Sequence, residues 1–216
     1  MRYRAPARLA AVVATAAMAV SALAAAPSAQ AAPGTQGNKP LAKVLAADGN
    51  RFDRNAQDFD IADRAIRAVL KAKPDSPLAA VADGKTRLTV FLPTDGAFRA
   101  LVKDLTGKGP HREKVVFQRV AAAAGDVDTL ETILLYHVVA GKTLTSPKVI
   151  AAAKQRADVD TAAGLPVGVR PRPTIRLADL DKDDRDPRVV APLLDINRGN
   201  KQVAHGIDRV LRPIDL

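Results

Sequence analysis

The chain has no cysteine and no tryptophan, and aromatic residues make up only 3% of its 216 residues. Without cysteine it has no disulfide, no thiolate nucleophile, no Cys-based zinc site and no lipid-modified N-terminal cysteine. A chain of this kind must rely on a packed core for its stability. The few aromatic residues argue against a base-stacking platform, and no nucleic-acid recognition motif is present. We therefore do not expect a nucleic acid as partner.

Residues that serve hydrolytic catalysis are also scarce. Beyond position 31 the serines are Ser76 and Ser146, both followed by proline, and no Gly-x-Ser-x-Gly elbow occurs. The three histidines do not form a His-Glu-x-x-His pattern, which argues against a zinc hydrolase. The 23 acidic residues leave a glycosidase pair open, but their spacing nominates no two of them. We therefore expect no enzyme, no catalytic residue, no metal site and no cofactor.

Long hydrophobic runs are absent except at the start of the chain. Three arginines precede an uncharged run over 9–26, and Ala29-Gln30-Ala31 follows with small residues at the −3 and −1 positions. This pattern predicts a secretory signal peptide over 1–31, with a membrane anchor as the alternative. The expected mature chain, 32–216, is secreted and has no transmembrane segment. Its retention on the cell wall and its oligomeric state are left open.

The charge of the chain is strongly positive. The formal net charge is +10, and removal of the three arginines of the signal leaves +7. A basic secreted protein is attracted to polyanions such as acidic wall polymers and polysaccharides. A basic stretch supplies the candidate binding residues, with an ordinary solvated face as the alternative: Arg99, Lys103, Arg112 and Lys114. The expected partner is an extracellular or cell-wall polyanion or a surface protein.

The hydrophobic pattern predicts helices first and strands last. Residues 32–40 form a Gly/Pro-containing, flexible lead, and 41–216 form one domain. Helices are predicted over 41–47, 59–73, 95–103, 112–124, 129–135 and 147–153. Strands are predicted over 88–92, 136–139, 165–169, 174–177, 189–190, 193–196 and 201–204. This order indicates an α+β fold with N-terminal helices packed on a mostly antiparallel wedge of sheets.

Three segments carry a family resemblance. The first is Leu88-Thr89-Val90-Phe91-Leu92-Pro93-Thr94-Asp95-Gly96-Ala97-Phe98, a strand that turns into a helix. The second is Tyr136-His137-Val138-Val139, and the third runs from Val203 to Pro213. In this order the three segments resemble the fasciclin-type domain family of extracellular adhesion and interaction modules. Departures from its pattern are Gly96, Gly206 and the Asn200-Lys201-Gln202 approach, and residues 155–188 match it poorly.

The resemblance implies roles for particular residues. Thr94, Asp95 and Phe98 form the strand-to-helix corner, in which Thr94 is a good helix N-cap. Tyr136 and His137 lie near surfaces implicated in adhesion, and His137 is expected to bond to the Thr94–Asp95 corner or to serve the core. His205 and Asp208 are expected to be structural, and Gly206 to mark a bulge or a close approach of another backbone segment.

An acidic segment near the C-terminus leaves calcium binding open. The Asp179–Asp186 segment has the alternating acids of a calcium loop, but it lacks the glycine at position 6 and the glutamate at position 12. A solvated hairpin is the simpler interpretation.

The best functional prediction is adhesion through a basic face and the Tyr136–His137 region. The alternatives are a carrier or sensor with a cleft for a small apolar ligand and, least favoured, a secreted hydrolase.

Overall fold

The computed structural model describes residues 36–49, 51–171 and 173–214. The predicted signal peptide and residues 32–35 of the lead lie outside these ranges. The described part of the lead is bonded to the turn before the last strand: Gly37 N donates to Gly199 O at 2.9 Å, and Lys39 N donates to Asn200 Oδ1 at 3.0 Å. Among the described helices, none has the length and apolar character needed to cross a bilayer.

The described residues form seven α-helices, all of which precede the second sheet. The helices are α1 (Leu41–Leu45), α2 (Asp60–Ala72), α3 (Ala80–Asp83), α4 (Asp95–Thr106), α5 (Glu113–Ala124), α6 (Val127–Tyr136) and α7 (Ser146–Lys154). Six of them match the sequence prediction, and α3 was not predicted. In each long helix the apolar residues recur at three-to-four spacing, and this spacing places one face of the helix in the core.

Six strands form two three-stranded sheets. They are β1 (Leu88–Pro93), β2 (Val138–Ala140), β3 (Asp158–Asp160), β4 (Pro166–Arg170), β5 (Arg176–Ala178) and β6 (Gln202–Ile207). The first sheet has the order β2-β1-β6, in which β1 is antiparallel to β2 and parallel to β6. The second sheet, β3-β4-β5, is antiparallel throughout. The α+β architecture is confirmed, with one parallel pair in an otherwise antiparallel set.

The central strand β1 is buried on both faces. Val90 and Leu92 pack into the larger cluster, which the helices fill, whereas Phe91 packs into a second cluster with Val167 and Leu177 of the other sheet. Alternate side chains of a strand point to opposite faces. The first sheet is therefore the middle layer between the helices and the second sheet, and the continuous apolar run of β1 follows from this position.

Two predicted strands are wrong in detail. Residues 191–193 form a 3-10 turn instead of the start of a strand, and of the predicted segment only Ile196 makes a bridge, to Ala204. The segment predicted as a strand from Tyr136 begins at Val138, because Tyr136 still belongs to α6 and His137 is its C-cap. In both places short apolar runs do not distinguish a strand from a helical turn.

Candidate functional site

The corner between β1 and α4 is built as its sequence predicts. Thr94 Oγ1 accepts a hydrogen bond from Ala97 N at 3.2 Å and so caps α4, and Phe98 packs in the core. Gly96 lets another segment approach, because its N donates to Ala56 O at 2.8 Å and an added Cβ would lie 3.0 Å from that oxygen. The departure from the family pattern at Gly96 thus accommodates the loop over 51–59.

Asp95 does not face solvent as a first-turn acid often does. It is fully buried, and its Oδ1 accepts from Ile61 N at 3.1 Å in the first turn of α2. Two aspartates, Asp58 and Asp60, lie at the start of α2, and aspartate is a common N-cap residue. The residue before α2 is Phe59, which offers no side-chain cap, and Asp95 takes over part of that role from a distant position. Burial, together with the nearby carboxyls of Asp58 and Glu113, raises the pKa of Asp95 well above its usual range.

Glu113 joins the same corner to the basic stretch. It is 1% exposed, and its Oε1 accepts from Arg99 Nη2 at 2.6 Å while its Oε2 accepts from Asp53 N at 2.5 Å. Three helices each have an acidic residue in the first turn at this corner. They are Asp60 in α2, Asp95 in α4 and Glu113 in α5. The positive ends of the helix dipoles favour carboxylates there.

The basic candidates divide into two groups. Arg99 and Arg112 line an open pocket of about 490 Å³ together with two further residues, Arg54 and His111. Lys103 and Lys114 are exposed nearby but do not line it. Arg54 was not among the candidates, because it lies far from the basic stretch in sequence and only the 51–59 loop brings it there.

Tyr136 and His137 are core residues in the described structure. Tyr136 is 0% exposed and donates from its hydroxyl to Pro166 O at 2.9 Å. The His137 Nδ1 donates to Ile133 O at 2.7 Å, and its Nε2 accepts from Leu211 N at 2.9 Å. The hypothesis that His137 bonds to the Thr94–Asp95 corner is wrong, because both ring nitrogens are used by backbone groups. A partner on the outer surface therefore does not touch these two side chains.

His205 and Asp208 also make internal bonds. The His205 Nε2 donates to Leu144 O at 2.7 Å, and its Nδ1 accepts from Asp195 N at 3.3 Å. Asp208 accepts from Arg188 N at 2.7 Å and from Arg185 at 2.9 Å. Ser146 bonds to the Asp195 carboxylate at 2.6 Å and makes no bond to the His205 ring, so these residues do not have the geometry of a Ser-His-Asp triad.

The Asp179–Asp186 segment is not a solvated hairpin. Asp179 accepts from Arg212 N at 2.9 Å, and the Arg212 guanidinium reaches Asp181 at 3.0 Å and Asp184 at 3.2 Å. Arg212 and Asp181 are both buried. The acids of this segment are therefore used in an internal ion-pair network that holds the C-terminal segment, and the calcium-loop interpretation is not supported.

An apolar cleft lies between α7, the β4–β5 connection and the segment 189–194. It has a volume of about 350 Å³ and is lined by Ile150, Lys154, Ile175, Val189 and Leu194, among others. The small-ligand alternative predicted a pocket of phenylalanine, leucine and valine. The cleft contains aliphatic residues and no phenylalanine among its described lining, and Ile150 is among the exposed large apolar residues.

Comparison with known proteins gives the family. A family model for the fasciclin domain matches residues 63–213. Among solved structures 16 chains match, including a FAS1 domain pair from the insect cell adhesion molecule fasciclin I, with 15% identity and a TM-score of 0.48. That match covers 70% of this chain and 47% of the other, so the chain spans about half the length of the matched structure. No curated protein matches. Because the family model covers more than half of the sequence, this chain belongs to the fasciclin domain family.

Proposed function

We propose that this protein is a secreted interaction module that binds an anionic polymer outside the cell through the basic pocket of Arg54, Arg99, His111 and Arg112. Fasciclin domains are commonly adhesion modules, typically extracellular and without enzymatic activity, which supports the general role. The observation that carries the proposal is the convergence of four basic side chains from three separate sequence positions on one open pocket.

The pocket contains one oriented guanidinium and three exposed side chains. The bond to Glu113 fixes the Arg99 guanidinium, whose side chain is 18% exposed, whereas Arg54, His111 and Arg112 are exposed. A guanidinium binds carboxylate, sulfate or phosphate groups through paired hydrogen bonds. A volume of about 490 Å³ accommodates one anionic unit of a polymer.

Lys103 lies one helical turn after Arg99 on α4, Lys114 lies two residues after Arg112 at the start of α5, and both are exposed. Exposed charges of this kind contribute mainly to attraction over distance, and salt screens them within about 10 Å at 0.1 M ionic strength. The proposal therefore predicts a general, salt-sensitive attraction and, on top of it, a local dependence on the pocket residues.

The test is cosedimentation of the purified protein with isolated cell envelopes, and its retention on an immobilised carboxylated or phosphorylated polymer, over a salt series. The variant Arg112→Gln removes a pocket charge, and Arg198→Gln removes an exposed arginine remote from the pocket residues in sequence. We expect Arg112→Gln to weaken binding about tenfold, equivalent to about 1.4 kcal/mol, and Arg198→Gln to leave it nearly unchanged.

The results separate three situations. Equal weakening by both variants would show that net charge alone governs adsorption and would contradict a role for the pocket. Binding that survives high salt and the pocket substitution would indicate a surface protein recognised by shape. An absence of binding at every salt concentration would refute the polyanion partner and would make the apolar cleft the next surface to test, with a small apolar ligand.

A further inference from the structure

Two arginines lie opposite each other at the edge of the second sheet. Arg176, the first residue of β5, and Arg188 are partners in an antiparallel bridge. Two backbone bonds flank this pair: Leu177 N donates to Pro187 O at 2.8 Å, and Val189 N donates to Ile175 O at 2.9 Å. Arg176 and Arg188 are therefore a non-hydrogen-bonded pair, in which both side chains lie on one face with Cβ atoms about 4.5–5.5 Å apart. Like charges in this arrangement repel each other.

The protein supplies an acid to only one of the two arginines. Asp186 Oδ2 lies 2.5 Å from Arg176 Nη1. Arg188 is exposed, and no acid among the described residues lies within ion-pair distance of its guanidinium. Asp208 is close in space, but its carboxylate accepts from Arg188 N and from the Arg185 guanidinium. In the described part of the chain, the charge of Arg188 is thus not compensated.

The two guanidinium groups line an open cavity of about 430 Å³. Pro173 and Thr174 complete its described lining, which therefore contains no acid. A guanidinium binds a carboxylate or a phosphate through paired hydrogen bonds, and two of them on one cavity attract an anion. This cavity is therefore suited to an anionic group.

The cationic cavity adjoins the apolar cleft, because Pro173 and Thr174 line both. The cleft of about 350 Å³ is mainly aliphatic, and Lys154 is the one charged residue in its described lining. Ile150 in the wall of the cleft is 42% exposed. Both volumes lie within about 300–1,000 Å³, the usual range of small-molecule sites. An apolar compartment thus meets a cationic one.

The pairing of the two extended segments defines how the compartments are arranged. Ile175 and Val189 line the cleft. Arg176 and Arg188, their neighbours in sequence, line the cavity. Successive side chains of an extended segment point to opposite faces, so cleft and cavity lie on opposite faces of the paired segments and meet at their end. A ligand that occupies both must bend around this end, which suits a flexible chain better than a rigid ring system.

We propose that the cleft and the cavity together bind one single-chain amphiphile with an anionic head, of the class of long-chain fatty acids. Its carboxylate pairs with the guanidinium groups of Arg188 and Arg176 and relieves their repulsion. Its aliphatic chain fills the cleft beside Ile150, where burial from water favours binding. The site shares no described lining residue with the basic pocket, so it is independent of polyanion binding.

The experiment measures by calorimetry the binding of monomeric amphiphiles to the purified protein. The probes are sodium dodecanoate, sodium decanoate and dodecyltrimethylammonium chloride, each below the concentration at which it forms micelles. We expect one dodecanoate per chain, with a dissociation constant on the order of 0.1 mM for a ligand of this size.

The three probes separate the contribution of the tail from that of the head. Each buried methylene raises affinity about fourfold, so decanoate should bind about fifteenfold more weakly than dodecanoate. Dodecyltrimethylammonium has the tail of dodecanoate but a cationic head. It should bind at least about tenfold more weakly than dodecanoate, because its head meets two arginines.

Two pairs of matched variants assign the site. Arg188→Gln removes the head contact, and Arg119→Gln removes an exposed arginine of α5, a helix that packs on α2, α4 and α6. Ile150→Gln places an amide in the wall of the cleft, and Val127→Gln makes the same kind of change at an exposed apolar residue of α6. We expect Arg188→Gln and Ile150→Gln each to weaken dodecanoate binding about tenfold, and the two controls to change it less than about twofold.

Several outcomes would overturn the proposal. Equal weakening by Arg188→Gln and Arg119→Gln would show that net charge alone attracts the probe. Equal affinity for dodecanoate and dodecyltrimethylammonium would show that only apolar surface is involved. Binding to vesicles that contain dodecanoate, without binding of the monomer, would indicate a membrane surface as the partner. An absence of both would show that no such site exists. Arg112→Gln in the basic pocket should leave dodecanoate binding unchanged, so failure of this proposal is distinguishable from failure of polyanion binding.

Discussion

Gly206 offers a sharp test of the packing around the last strand. An added Cβ at this position would lie 2.6 Å from Leu193 Cβ and 2.8 Å from Leu193 Cδ1. Carbon atoms in contact normally lie about 3.5–4.0 Å apart, so Gly206→Ala forces a shift of about 1 Å. Gly206 is buried and belongs to a strand paired along its length with β1. Because overpacking costs about 1–3 kcal/mol, we expect the free energy of unfolding to fall by about 2 kcal/mol.

The measurement is urea unfolding of single and double variants. Leu193→Gly removes the side chain that an added Cβ would meet, so the double variant with Gly206→Ala should cost at least about 1 kcal/mol less than the sum of the single changes. Gly109→Ala is the control, because its added Cβ would meet its nearest atom at an ordinary 3.5 Å and should change stability by about 0.5 kcal/mol or less. If Gly206→Ala proves as harmless as Gly109→Ala, or if its cost is simply additive with Leu193→Gly, the steric argument fails.

Three further predictions concern the described contacts. Thr94→Ala should lower the free energy of unfolding by about 1 kcal/mol through loss of the α4 cap, and Thr94→Ser should restore most of it. Burial lowers the pKa of His137 from 6.5 to about 4. Above pH 6.5 the ring is neutral in the folded and in the unfolded chain, so protonation of His137 takes nothing from the free energy of unfolding. As the pH falls towards 4, only the unfolded chain binds a proton at this ring. The free energy of unfolding therefore falls by up to about 3 kcal/mol. His137→Gln should reduce the slope of the free energy of unfolding against pH, measured by urea unfolding at several pH values. An unchanged slope would show that His137 does not cause the loss. Arg212→Ala should cost about 3–5 kcal/mol, because it leaves the buried Asp181 without its cation, and a cost below 1 kcal/mol would contradict that.

The sequence was most informative where one local signal sufficed. The Thr94 cap, the apolar strand at 88–92 and the three-to-four spacing that starts after Phe59 each predict an element that the structure contains. Gly206 was read as a bulge or a close approach. There is no bulge, since pairing with β1 continues through Gly206 without interruption, and the group that approaches closely is the Leu193 side chain instead of a backbone segment. Such signals act over one strand or one helical turn, so they can be read without knowledge of the rest of the chain.

The sequence was least informative where a polar group finds its partner far along the chain. Asp95 accepts a hydrogen bond from Ile61 N in the first turn of α2, and this partner, 34 positions away, has no local signal in the sequence. His137 accepts from Leu211 N across 74 positions, and three acids of the 179–186 segment, Asp179, Asp181 and Asp184, bond to Arg212. Buried polar groups must be satisfied, but the sequence does not say which distant group does so.

The sequence by itself determined the order of the elements, the family and the positive charge, because hydrophobic periodicity, capping residues and residue counts are local properties. Only the tertiary structure decided which charges meet. It brought Arg54 to Arg99 and Arg112 around one pocket, and it gathered the first acids of three helices under one loop. It also placed Tyr136 and His137 in the core. The reason is that burial and electrostatic contact depend on how distant segments pack, which no short window of sequence records.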